Sequence, residues 1–490
     1  GGFQDTVDFF GHQLISSGSY DVFIAAFSPE GNLLWVKQGG GLYEDFARDI
    51  LVSGEAVYVT GGFLDQAQFG AEVLTSEGAR DMFLLNYDLN GDLLWATRGG
   101  SVTDDAGNGL AADQTGNVYV TGNINYTATF GEHTVQSFGF TDIFIAKYNT
   151  EGVCQWAQSA GGPSYDEGSC IEVAGEDLYI AGGFNDVAAF GTATVTSVEY
   201  VDIYIAHYTT DGAFVEVIAA GGTSNEVIRC MALDEDQHVY VSGEFMLNLT
   251  IGGNTFNSSG GNDVFLARYD PGSGFAWSQS FGSAGNEEAL GMVYAGEDQI
   301  VFTGTFEETI TMGNIQLTSD GFDDGFMAMF DPQGEYDWVN TAGGTGGITV
   351  HDCAGDSEGN LYFAGSFLEQ LVIGSQTFYP GGGYDLFLSQ LGEGGISTPE
   401  LADPSAPALF VYPNPTVSKS VIEYDLKERS EVVLKLTDIT GKEQKILLLE
   451  FQAPGRHQYQ LKTADLEPGS KQVLRGGRLP RSCGGRGARR

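Results

Sequence analysis

Apolar residues recur along this chain at every second position, in short runs separated by polar turns rich in glycine. Such runs predict β-strands. The runs themselves return at a fixed interval. An aspartate opens one at Asp21, Asp81, Asp142, Asp202, Asp263, Asp324 and Asp385, each 60 or 61 residues after the last. A glycine closes another on the same beat, at Gly61, Gly122, Gly182, Gly243, Gly304 and Gly365. A period of this length marks a repeat protein, whatever domain count 490 residues would otherwise suggest.

Inside each repeat the first strand is apolar on both faces. One face carries aromatic pairs such as Phe83 and Tyr87, Phe144 and Tyr148, or Phe265 and Tyr269, and the other begins with pairs such as Ile143 and Ile145. A strand of this kind needs a sheet stacked on each of its sides. The second strand holds tryptophan. All five, Trp35, Trp95, Trp156, Trp277 and Trp338, fall in one column, and the fourth repeat alone departs from it, offering Glu216 or Val217. The column reads as a joint between repeats, where truncating a buried indole costs about 3 to 5 kcal/mol. A Gly-Gly loop leads to a third strand, and a turn leads to a fourth such as Val57-Tyr-Val-Thr-Gly61. Each repeat is therefore expected to form one four-stranded antiparallel sheet.

Sheets with two apolar faces can bury both by standing face to face around an axis, as in a β-propeller. Counted from the opening aspartates, residues 1–391 make six complete four-stranded blades. Asp385 to Leu391 adds a first strand without successors, and Gly1-Gly-Phe3 matches the end of a fourth strand without predecessors. The expectation is an incomplete seventh blade, in which Asp385 to Leu391 pairs with strands preceding residue 1, and an N-terminus that falls inside a repeat. The recurring D-x-F-x-A-x-Y, G-N-x-x-W, D-x-x-G-N-x-Y-V-T-G and F-G motifs resemble the bacterial SBBP-type β-propeller repeats. The resemblance covers about residues 1–391 and implies a propeller, with no assigned chemistry.

Glycine is 71 of 490 residues and aromatics are 12%, as strands joined by tight turns require. The formal charge is -44, and because the last twenty residues carry seven bases and no acid, the rest is more negative still. A surface of this sign repels phosphate backbones, so nucleic acid is excluded as a partner. No apolar run is long enough to span a membrane as a helix. The five cysteines, Cys154, Cys170, Cys230, Cys353 and Cys483, form no CxxC pair and read as free thiols. Cys170 and Cys230 share one repeat position, and spacing leaves a bridge between them open.

Candidate chemistry was sought in polar columns. The loop after Gly-Gly carries Asp45, Asp105, Asp166, Glu226 and Glu287, with Glu44, Asp104, Glu167 and Glu288 beside them. Two readings stand: an acidic rim that binds a cation, calcium being the candidate, or a carbohydrate; and solvated loop acids that limit aggregation. No other cofactor is expected and no metal ligand set is assigned. Asp88-Leu-Asn-Gly-Asp92 lacks the further ligands and closing Glu of a calcium loop. Ser28-Pro-Glu-Gly31-Asn-Leu-Leu-Trp35 is superficially like the turn box of sialidase propellers, but the sister turns are Asp-x-x-Gly, whose side chain bonds its own backbone. No H-E-x-x-H, G-x-S-x-G or P-loop occurs, and the six histidines share no column.

From 392 to 408 the period stops and Gly, Pro and Ser take over, as in a linker. Residues 409–469 then alternate in short strands and outline a small Ig-like β-sandwich. Tyr412-Pro413-Asn414-Pro415, the turn Asp438-x-x-Gly441 and the Leu-x-Pro-Gly close resemble the type A C-terminal sorting domain of the bacterial type IX secretion system. That resemblance implies a Bacteroidetes-like source, the type IX secretion machinery as a partner, and a secreted or cell-surface destination. Residues 470–490 depart from the family pattern and read as an aberrant, disordered basic tail from a shifted reading frame. Together these features point to a monomeric, secreted, non-enzymatic all-β scaffold that binds a surface glycan or protein. The alternative is a secreted carbohydrate-active enzyme whose catalytic carboxylates lie among the loop acids.

Overall fold

The computed structural model describes residues 1–391 except 297, 357, 358 and 375, and beyond them the segments 409–412, 419–426, 430–438, 443–453, 455–462 and 472–477. The chain divides into two units, Gly1–Ile396 and Ser397–Arg490. Every regular element among the described residues is a strand; none is a helix.

The first unit is a β-propeller. Five of its blades have four strands each, and each blade straddles a repeat boundary. In the third blade, Asp166–Ala174 pairs with Asp177–Phe190, then Ala193–Thr209, then Phe214–Gly222. The third and fourth strands of one repeat thus join the first and second of the next. This corrects the expected six complete blades. Repeats counted from the aspartates cut each sheet in half, so the same strands yield five four-stranded sheets flanked by two of three strands. One of those contains Gly2–Phe3, Asp21–Phe27 and Leu33–Gly41; the other contains Ile348–Gly355, Leu361–Phe367 and Asp385–Leu391. The partner of Asp385–Leu391 is Leu361–Phe367, aligned from Phe367 opposite Asp385 to Leu361 opposite Leu391.

Apolar cores lie between the blades. One cluster joins Tyr179, Ile203 and Ile205 of the third blade to Ile228, Val239 and Phe265 of the fourth. The next joins Tyr240 and Leu266 of the fourth to Phe302 and Phe326 of the fifth. This is the covering of both faces that the first strand demanded, and Met82 through Tyr87 are all buried. The third strand of each repeat, which opens a blade, lies innermost. The Asp49 carboxylate of the first blade accepts a hydrogen bond from the backbone N–H of Leu110 in the second, at 2.7 Å. Its charge also raises the pKa of Glu172 in the third blade and of Asp352 in the last sheet, after the burial that is the larger cause in both. Strands far apart in the chain therefore converge on one axis.

Two devices clamp neighbouring blades. The first is a hairpin, such as Thr127–Phe130 with His133–Gln136, whose leading strand hydrogen-bonds across to Gly99 and Gly100 of the preceding blade. A side chain at Gly99 would meet the Phe130 ring, which explains why this motif and the Phe-Gly hairpin occur together. The second is the tryptophan column. Trp35 Nε1 donates to the Leu89 carbonyl at 2.8 Å, Trp95 to Thr150 at 2.9 Å and Trp277 to Pro332 at 2.8 Å, each reaching a turn of the next repeat. Gly91, Gly152 and Gly334 sit in those turns with positive φ, and their bare Cα atoms face the indoles. These indoles are half-buried, not enclosed.

In the second unit, Leu409–Tyr412, Lys419–Leu426 and Gly455–Lys462 form one three-stranded antiparallel sheet, and Glu443–Gln452, Ser430–Asp438 and Gln472–Gly477 form another. Within 470–490, Gln472–Gly477, which begins with a Gln-Val-Leu-Arg segment of fair strand propensity, extends the edge of the second sheet. The linker 392–408 lies outside the described residues.

Because the Trp277 indole is half-buried and carries an inter-blade hydrogen bond, Trp277→Ala is expected to cost about 2 to 4 kcal/mol. Urea unfolding followed by circular dichroism measures it, and a loss under about 0.5 kcal/mol would remove the column from the joint.

Candidate binding site

The five loop acids do not form a rim. Asp45, Asp105, Asp166, Glu226 and Glu287 are all buried, with at most 1% of their surface exposed. Both rim readings and the solvated reading are therefore corrected: the alternation of the third strand turns these side chains inward, and Glu44, Asp104, Glu167 and Glu288 take the solvent. Each buried acid closes the Gly-Gly turn. Asp45 accepts from Gly41 N at 2.6 Å and from Leu64 N at 3.2 Å, and Asp166 repeats this with Gly162 N at 2.6 Å and Asn185 N at 3.2 Å. Glu226 and Glu287 accept from Gly222 N and Ser283 N in the same way.

Beside each loop acid stands the aspartate that opens the first strand, itself buried and capping a hairpin four residues back. Asp21 accepts from Ser17 N, Asp142 from Phe138 N and Asp202 from Val198 N. Two buried carboxylates thus meet at each of these five loops, and a Cβ at Gly40 or Gly161 would collide with both. Asp21 Oδ1, Asp81 Oδ1, Asp142 Oδ1, Asp202 Oδ1 and Glu226 Oε1 have no hydrogen-bond partner. Burial, reinforced by the neighbouring charge, pushes Asp45 up to about 6, Asp166 to about 7, Glu226 to about 8 and Glu287 to about 7. The surrounding groups are N–H donors, which suit an anion and not a cation. One proton shared by each pair satisfies the orphaned oxygen and removes a charge. In the next repeat Ile348 stands in the acid's place, and Asp324 takes Gly344 N directly at 3.1 Å. These acids are structural.

The tryptophan column breaks at one joint, between the third and fourth blades. In the tryptophan column stands Glu216, directly across from His207. Its carboxylate accepts from Tyr269 Oη at 2.6 Å and Gly272 N at 2.8 Å. His207 lies against the Tyr179 ring with centroids 4.6 Å apart, its Nε2 2.8 Å from Asp177 Oδ1. On the facing blade His238 replaces the asparagine seen at Asn117 and Asn360, with Nδ1 2.8 Å from Asp234 Oδ2. Where the indole is missing there is an open cavity of about 460 Å³, lined by Asp177, Tyr179, His207, Asp236, His238 and Asp270 among others. The missing Trp was visible in the sequence; the coincidence with His207 and His238 was not, because the two histidines occupy different columns and meet only across the joint.

Among the described residues no three His, Cys, Asp or Glu are grouped to hold a metal ion. Cys154, Cys170, Cys230 and Cys353 are free and buried, so no bridge joins Cys170 to Cys230. In the sorting motif, Tyr412 ends one strand and Asp438 another, while Pro413, Asn414, Pro415 and Gly441 lie outside the described residues.

No family model matches the chain. It is 27% identical over 140 residues to the regulatory protein FlaEY of Caulobacter vibrioides, covering 28% of this chain and 15% of that protein. It is 24% identical over 209 residues to an uncharacterized WD repeat-containing protein of Acanthamoeba polyphaga mimivirus, covering 35% of this chain and 14% of the other. The alignments thus span about one-seventh of the length of either relative. Among solved structures, YCF48 in a peptide-bound form overlaps 77% of this chain and 88% of its own, at 11% identity and a TM-score of 0.33.

The carboxyl pairs fix the sign of the pH dependence. Their folded pKa values lie above the unfolded 3.8 to 4.5, so between about pH 4 and pH 8 the folded chain holds protons the unfolded chain has released. Stability falls as pH rises through that window. In acid the opposite group takes over: Asp113, partly buried yet pulled down to about 2 by hydrogen bonds from Thr115, Asn117 and Tyr119, loses its contribution as pH drops toward that value. Thermal unfolding should therefore show its highest midpoint near pH 5 and a lower one at pH 8; a midpoint that is flat or rises over this range contradicts the shared protons.

Proposed function

We propose that the chain is a secreted or cell-surface propeller that binds a ligand without transforming it, and that its C-terminal unit is a sorting β-sandwich read by a type IX secretion machinery. In this reading the two three-stranded sheets are the sixth and seventh blades of the ring, each one strand short. The single observation that carries the binding role is the broken joint: the repeated loops are sealed by the same buried acids, and an open polar cavity coincides with the break in the tryptophan column. Sites that act tend to violate the local rules of the fold that carries them.

The same cavity lends some support to a carbohydrate-active enzyme, since it places carboxylates in a pocket that departs from the repeat. Against that, Asp270 is held by Arg268 through two contacts, Nε–Oδ1 at 2.7 Å and Nη2–Oδ2 at 3.2 Å, which favour the ionised form and oppose a general acid. Asp177 is likewise engaged by His207. Binding is the reading better supported.

The full chain, applied to a glycan array with and without calcium, separates the two. Retention of a glycan with no release of reducing ends is expected, unchanged by calcium; time-dependent release of reducing ends would establish the enzyme instead.

A further inference from the structure

At the joints flanking the open one, the chain fills the space itself. Before it stand Trp156 and Lys147; the Lys147 ammonium lies 5.1 Å from the Tyr119 ring centroid and donates to the Thr210 carbonyl at 3.2 Å. After it stand Trp277 and Arg268, which donate together to the Pro332 carbonyl at 2.8 and 3.1 Å. Both flanking joints therefore hold an indole, a cation over or beside a tyrosine, and a turn carbonyl that receives a donated hydrogen bond.

At the open joint the acceptors remain and the donors are gone. Tyr179 corresponds to Tyr119 and Tyr240, and Pro271 to Thr210 and Pro332. Glu216 and His207 stand where the indole and the long cationic side chain would be. Among the described residues no hydrogen bond reaches the Pro271 carbonyl. His207, with only 8% of its surface exposed, lines the cavity and has its Nδ1 buried without a partner. Asp236 stands exposed at the mouth of the cavity, while Asp177 and Asp270 are already engaged by His207 and Arg268, on a chain whose formal charge is -44.

We propose that this joint binds a cationic aromatic ligand, an aromatic ring carrying a nearby ammonium or guanidinium, which supplies from outside what the flanking joints supply from within. The volume of about 460 Å³ accommodates a bicyclic ring with a short amine arm. The ring would enter the place of the missing indole, and the cation would meet the carboxylates and the turn carbonyl. A free arylalkylamine and a protein segment with Trp next to Lys or Arg share this chemistry.

The inference rests on the binding reading, yet the two fail separately, because binding of an arylalkylamine is measured directly, whether or not any glycan on the array is retained or cleaved. Calorimetric titration of the full chain with tryptamine tests it, beside indole-3-propionate, which keeps the ring and reverses the charge, and an acetylated Trp-Lys peptide amide. Tryptamine or the peptide should bind and the propionate should not, and whichever of the first two binds tighter identifies the source. Glu216→Trp should abolish binding by refilling the joint. Because that variant also removes the acceptor of Tyr269 and Gly272, Asp236→Lys at the exposed mouth is the second variant, expected to weaken binding about tenfold or more. Absence of binding by both cationic probes, equal binding of the propionate, or binding undiminished in a folded Glu216→Trp or Asp236→Lys chain would overturn the proposal.

Discussion

A sheet of four strands with apolar side chains on both faces cannot stand alone in water, and this constraint orders everything else in the first unit. Met82 to Tyr87 are buried along their whole length, so the sheet that contains them must be covered twice. Covering each sheet with the next generates a row, and the right-handed twist of strands turns a row of stacked sheets about an axis. Joining the last two strands of one repeat to the first two of the next has a further effect. Every repeat then belongs to two blades, so no blade can swing away without also opening its neighbour.

The close approach this requires explains the glycines and the acids together. At Gly40 the backbone takes a φ of 154° and passes so near Asp21 and Asp45 that no side chain fits. The two carboxylates gather the N–H groups of a turn and a strand end that would otherwise be buried without partners. A neutral amide would offer one oxygen where the carboxylate offers two, whereas a protonated pair accepts from several N–H groups and carries only one net charge. Acids at a fixed period are then a consequence of sealing the blade, with no ligand involved.

Much of this was legible in the sequence. The 60- or 61-residue beat, the aromatic pairs and the Trp column were sufficient for strands stacked around an axis. Two things were not legible, for distinct reasons. The grouping of strands into blades depends on which hairpin closes a sheet, and period alone is unchanged when the cut between repeats is moved. The burial of Asp45 and its counterparts depends on the side from which the next repeat's hairpin returns, and a carboxylate between Gly-Gly and a strand looks the same in sequence whether it faces water or a second carboxylate. The turn aspartates were read correctly, since Asp88 and Asp113 bind their own loops.

Identity and departure therefore carry opposite meanings in such a chain. A residue that recurs in every repeat answers a demand made in every repeat, namely packing, turning or sealing, and Asp45, Gly40 and Trp35 are of that kind. A ligand is met at one place, so the residues that meet it have no reason to recur. Glu216 departs from the Trp column, whereas His207 and His238 stand in columns that vary from repeat to repeat, with Ala26, Asn86, Lys147, Arg268 and Met329 in the first and Ala56, Asn117, Asp177, Gln299 and Asn360 in the second. The fold brings His207 and His238 to one cavity, and Glu216 closes onto the turn that Pro271 contributes to its wall.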